Sequence, residues 1–195
     1  MLHIGDSIMV QTADDVINTA AFRDFGYLDT FNAMGGVGAC PEQQATTPGD
    51  GYYWPERIAS IRTKLAPEVV VVQLGTNDRP HADCVADYEA QAIDPIMQAL
   101  PAMPVLWLDV REDLGPEAIA INERLHRAAA RWPNLEILPY SAHFANQPDW
   151  VIGSHLTHEG QGEYARWLIA LLDERVPEPS TTTTAPTTTS TTAAP

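Results

Sequence analysis

Apolar positions along this 195-residue chain follow two alternating patterns. Short, nearly unbroken apolar runs are separated by longer stretches in which apolar residues return every three or four positions. The clearest run is "EVVVVQL" at 68–74, β-branched and apolar on both faces, which reads as a strand buried from both sides. "VLWLDV" at 105–110 reads the same way, with shorter strands at 2–4, 28–33 and 135–138. Helical spacing marks 13–22 and a helix entered at Pro55, which carries Ile58, Ile61 and Leu65. It also marks 82–100, with a break or kink at Pro95, and 117–132, with Ile119, Leu125 and Ala129 on one side. A last helix covers 159–172, with Tyr164, Trp167, Leu168 and Leu171 facing inward. Strands alternating with helices predict an α/β domain whose largely parallel sheet is covered on both faces.

In such sheets, ligands sit beyond the carboxyl ends of the strands. Four polar or glycine-rich segments fall on that edge: "GDS" at 5–7, "NAMGGVGAC" at 32–40, "GTND" at 75–78 and "GSHLTHEG" at 153–160. Ester hydrolysis through serine needs a nucleophile, a base within hydrogen-bond reach and donors aimed at the oxyanion. Ser7 is the candidate nucleophile and His155 the candidate base. Asn77 offers a side-chain amide, Gly36 or Gly38 a backbone N–H open to close approach, and Ser7 its own N–H. Asp6 and Asp78 read as loop-bracing carboxylates, and His158 as a solvent-facing histidine at a helix start.

In order along the chain, "GDSI", "GGVG", "GTND" and "HLTHEG" resemble the four blocks of the GDSL/SGNH hydrolase family, and the resemblance covers roughly residues 1–175. "INERLH" at 121–126 and "PDW" at 148–150 resemble stretches ahead of the family's histidine block. The resemblance implies a flavodoxin-like three-layer sandwich with a five-stranded parallel sheet, and carboxylester hydrolysis without metal or other cofactor. It carries the nucleophile to Ser7, the oxyanion asparagine to Asn77, the oxyanion glycine to Gly36 with Gly38 as alternative, and the base to His155. The strand order it implies brings the loops bearing Cys40 and Cys84 to one edge, where a disulfide between them is sterically allowed.

One position departs from that family. Its members usually carry an aspartate three residues before the histidine, to hold the imidazole tautomer and stabilise the imidazolium. Ile152 stands there, and isoleucine does neither. The nearest upstream carboxylate, Asp149, is six residues before His155 and reaches it only if the loop folds back. The alternative is a Ser–His dyad oriented by a backbone carbonyl or water.

Charge narrows the partners. The formal net charge of −15 repels phosphate backbones and anionic headgroups, which argues against nucleic acid, and no apolar run is long enough to span a membrane. From residue 177 the chain is a Thr/Pro-rich tract without large apolar residues, expected to be a disordered tail or linker behind a domain over 1–176. Such tracts favour a secreted or wall-associated protein, with a leader outside the stretch read here; a cytoplasmic location is the alternative. The expected substrate is a small-molecule or glycan ester bearing a short acyl group such as acetyl. Lysophospholipase, thioesterase and acyl-transfer activities share the same chemistry, and a non-catalytic glycan-binding module is the competing class. Tyr52, Tyr53, Trp54 and Trp150 are candidates for substrate contact as well as for core packing.

Overall fold

Five four-residue strands form one parallel sheet: β1 (Leu2–Gly5), β2 (Thr30–Ala33), β3 (Val70–Gln73), β4 (Val105–Leu108) and β5 (Leu135–Leu138). Their spatial order is β2-β1-β3-β4-β5, with β1 pairing in parallel with β2 on one side and β3 on the other. The computed structural model describes residues 1–14, 16–24, 30–42 and 54–175. The expected Thr/Pro tract, Tyr52, Tyr53 and the start of the second expected strand at 28–29 lie outside the described residues.

Period-two alternation along each strand sends side chains into two separate cores. Ile4, Val70, Val72, Val105 and Trp107 pack with Trp54, Ile58, Val85, Tyr88, Ile96, Ile121 and Leu125. These come from α3 (Trp54–Arg62), α4 (Ala82–Ala86), α5 (Asp94–Ala99), α6 (Pro116–Ala129) and the segment joining α4 to α5. Val71, Leu106 and Leu108 face the other way, towards Ile8, Met9, Phe22, Phe144, Tyr164 and Leu168. That layer is α1 (Ser7–Asp14), α2 (Val16–Asp24), α7 (Tyr140–Phe144) and α8 (His158–Arg175). A two-residue antiparallel pair, β6 (Val151–Ile152) and β7 (His155–Leu156), precedes α8.

Several elements differ from expectation. The first helix starts at Ser7, directly after β1, instead of at residue 13. The stretch 82–100 is broken well before Pro95, into α4, a π-helical turn over Glu89–Ile93, and α5. Pro95 has no N–H to give the carbonyl one turn back, so the α ladder is already interrupted there and the wider turn absorbs the mismatch. On α6 the buried side is Ala118, Ile121, Asn122, Leu125 and Ala128, and Ile119 is 43% exposed. Leu65 lies beyond the end of α3 and is exposed.

Candidate active site

The turn after β1 is built around Asp6. Its Oδ1 accepts the Ile8 N–H at 2.9 Å and its carbonyl accepts the Val10 N–H at 3.0 Å, an N-cap that starts α1 at Ser7. Ser7 therefore occupies the first helical position, where backbone N–H groups have no partner within the helix. Asp6 is fully buried and its Oδ2 has no partner among the described residues. Burial pushes this carboxyl up to about 7, against the pull of the Ile8 N–H and with the help of Asp78.

His155 comes to this turn from the far end of the chain. Its Nε2 lies 2.8 Å from Ser7 Oγ, although 148 positions separate the two. The other ring nitrogen, Nδ1, has Ser154 Oγ at 3.4 Å. Among the described residues no carboxylate meets the ring. Ile152 stands directly across the β6–β7 pair from His155 and is 69% exposed. The Asp149 side chain makes no hydrogen bond or ion pair among the described residues, while its main-chain carbonyl accepts the Thr157 hydroxyl at 2.7 Å.

The glycine block lies beside Ser7. A Cβ built on Gly35 would stand 3.9 Å from Ser7 Cβ, and one on Gly36 would meet nothing within 4 Å. Gly36 has φ +80°, in the left-handed region that favours glycine. Gly38 is buried, and its carbonyl accepts the Trp54 indole N–H at 3.0 Å. Trp54 is thus a core residue. Asn77 donates one amide hydrogen to the Val37 carbonyl at 2.8 Å, which leaves its second N–H without a protein partner among the described residues.

Asp78 ties these loops together. It is buried, its two oxygens accept the Ala39 and Cys40 N–H groups at 2.8 and 2.9 Å, and the Tyr88 hydroxyl donates to Oδ2 at 2.8 Å. Burial raises its pKa, while those three donors pull the other way. Cys40 and Cys84 are joined by a disulfide across the same loops, with Cα atoms 6.1 Å apart. The sulfurs of Cys40 and Cys84 lie near Glu42 in a cluster with metal-site spacing, but both are consumed in that bond. Trp150 packs against His143 and Phe144 at the foot of β6.

Sequence reading missed three groups here: Ser154 at Nδ1, Gln11 and Arg111. Gln11 Nε2 donates to the Leu156 carbonyl at 3.2 Å, and its Oε1 accepts the Leu156 N–H at 3.3 Å. Arg111 is 3% exposed, forms two bonds to Asp113, and donates through Nη2 to the Gly153 carbonyl at 2.9 Å. Only the four-residue step from Ser7 to Gln11 on one helix face was a usable signal, and it has no meaning until the helix is known to begin at Ser7.

Sheet order, paired helical layers and polar loops gathered at the carboxyl edge define the three-layer fold of the SGNH hydrolases. Solved structures agree. The crystal structure of TesA superposes with a TM-score of 0.65 at 18% identity, covering 89% of this chain and 97% of that one. AlinE4, an SGNH-hydrolase family esterase, gives 0.56 at 19%, covering 90% and 95%. A carbohydrate acetylesterase family member from Sinorhizobium meliloti gives 0.66 at 11%, covering 89% and 97%. No family model matches the chain, and no curated protein matches it in sequence. At identities this low the likeness establishes the fold, and the chemistry rests on the residues themselves. Among the described residues, no helix is long and apolar enough to cross a membrane.

Proposed function

We propose that this protein is a serine esterase that removes short acyl groups, acetyl above all, from a carbohydrate or other small ester. The observation that carries the reading is the 2.8 Å approach of His155 Nε2 to Ser7 Oγ at the sheet's carboxyl edge. His155 takes the Ser7 hydroxyl proton on Nε2 as Oγ attacks the ester carbonyl carbon. The resulting oxyanion is held by the Ser7 N–H at the helix start, the Gly36 N–H and the second N–H of Asn77. As the tetrahedral species collapses, the alcohol leaves with the proton from Nε2. Water then repeats the sequence on the acyl-enzyme and frees the acid. With the ring proton on Nδ1, Ser154 Oγ is its acceptor, a neutral group in the place of a carboxylate. Acetyl and carbohydrate are supported by the carbohydrate acetylesterase among the structural neighbours and by the Thr/Pro tract, which favours export.

The test is fluorophosphonate labelling together with an ester panel running from acetyl to long acyl chains and including acetylated polysaccharide. Labelling is expected at Ser7, with the fastest turnover on acetyl esters. Ser7→Ala and His155→Ala should each cost about 10⁴-fold or more in kcat, while Asp149→Ala has a modest effect. Equal turnover by wild type and Ser7→Ala ends the esterase reading. A non-catalytic glycan-binding module is the second reading, favoured by the missing carboxylate at position 152. Retained glycan binding with no labelling at Ser7 would select it.

A further inference from the structure

The ring nitrogens of His155 hydrogen-bond only to Ser7 and Ser154 among the described residues, and Ser154 at 3.4 Å is a weak hold. Something other than a ring partner has to keep Nε2 on Ser7 Oγ. The backbone on either side of His155 is gripped by side chains. On the C-terminal side, the Gln11 amide forms two reciprocal bonds with Leu156, at 3.2 and 3.3 Å, as a neighbouring strand would. Gln11 lies one helical turn after Ser7 on α1, so both face the same way. Leu156 is buried in the same core as Ile8 and Met9 of that helix. On the N-terminal side, Arg111 holds the Gly153 carbonyl and is itself fixed by Asp113.

From this geometry we infer that Gln11 is a positioning residue for His155: it sets the imidazole on Ser7 through the backbone of Leu156, from the nucleophile's own helix. In this chain that backbone link does the placing that a carboxylate at position 152 would do through the ring, without the charge that would stabilise the imidazolium. The inference rests on the Ser7–His155 reading of the site. Because Ser7 and Gln11 share one rigid turn, any shift of α1 carries nucleophile and base together. Loss of the link frees β7 to move relative to α1, and a misplacement of about 1 Å is enough to cost about 10²-fold in rate.

Gln11→Met keeps the length and apolar stem and removes both bonds. The expected result is a 10- to 100-fold fall in kcat and in the labelling rate at Ser7, with KM changed by less than about threefold. Gln11→Glu keeps an acceptor for the Leu156 N–H but sets its second oxygen against the Leu156 carbonyl, so its rate should also fall below wild type; it serves if Gln11→Met does not fold. Adding Ile152→Asp to Gln11→Met should raise the rate by a larger factor than Ile152→Asp does in the wild-type background, whereas a purely structural defect leaves the two factors independent. The inference fails if Gln11→Met labels at the wild-type rate, or if its loss lies in KM alone. Amide hydrogen exchange at Leu156 separates this outcome from failure of the esterase reading. If wild type shows no labelling at all, exchange at Leu156 still has to speed at least about tenfold in Gln11→Met. Unchanged exchange overturns the link whatever the activity.

Discussion

Ser7 and His155, the proposed nucleophile and base, meet at one point but are held by very different amounts of structure. Ser7 follows a fully buried strand paired on both sides, under an aspartate cap, at the start of a helix packed on the sheet. His155 belongs to a two-residue strand paired with another two-residue strand, with Ile152 in solvent beside it. Two-stranded ribbons of this size are not stable alone. His155 therefore takes its position from outside its own hairpin: from Gln11, from Arg111, and from Gly160, where a Cβ would stand 1.9 Å from the Trp150 carbonyl oxygen. One side of the site is fixed by the sheet, the other by borrowed contacts.

Outside the Ser7–His155 pair, the largest expected effect tests the sheet side. Asn77→Ala removes the amide held against Val37 and, on the proposed mechanism, one oxyanion donor. We expect kcat to fall about 10²- to 10³-fold, near 3–4 kcal/mol, with folding intact. A change of less than about threefold would take Asn77 out of the oxyanion site. Next comes the disulfide. Cys40→Ser with Cys84→Ser opens a loop spanning 44 positions beside the loops that Asp78 ties together. The loss should be about 2–4 kcal/mol of stability, read as a lower thermal midpoint. An unchanged midpoint would mean that Asp78 and the core hold these loops without it.

The same contrast explains what was legible in the sequence. Strands such as Val70–Gln73 and Val105–Leu108 announce themselves because burial on both faces forces continuous apolar residues. The four loop segments follow from the strands, since each begins where a strand or turn ends. The β6–β7 pair was not legible, because two residues carry no period. Nor was the link from Gln11 to Leu156, which joins positions 145 apart through a side-chain amide that reads as an ordinary surface glutamine. The start of α1 was misread for a related reason. "SIMVQTAD" has small and β-branched residues that resemble a loop after a strand, and the Asp6 cap and the core under Ile8 and Met9 override that preference.

Ile152→Asp sharpens the comparison from the other side. Ile152 faces His155 across the pair, so their Cβ atoms lie about 4.5–5.5 Å apart and an aspartate there can reach Nδ1. The exchange removes no core contact, because Ile152 is exposed. We expect about a tenfold gain in the acylation rate, or about 1.4 kcal/mol, with the alkaline plateau of the pH–rate profile reached at higher pH because the imidazolium is stabilised. A slower enzyme would show that the apolar side chain at 152 contributes to substrate binding.

The remaining test is one of pH, and it acts on the sheet side. Burial raises the Asp6 carboxyl to about 7 and, against the pull of the Ser141 N–H, Asp109 to about 6. Asp78 is raised too. Each binds its proton more tightly folded than unfolded. Their stabilising contribution is therefore complete below the ordinary carboxylate range, near pH 4, and is lost as pH rises through about 6 to 7. Glu163, held low by His143 and Arg166 despite its burial, works in the opposite sense, but below the ordinary glutamate value. Urea midpoints should accordingly be lower at about pH 8 than at about pH 5. Asp6→Asn keeps the oxygen that caps Ile8 and removes the charge, so it should flatten that dependence. A midpoint that rises with pH would mean that Asp6 stays ionised in the folded protein, with its unpartnered oxygen solvated. The turn after β1 would then tolerate a buried charge beside Ser7, and the firmness of the sheet side would come from strand pairing and helix packing without any contribution from a protonated cap.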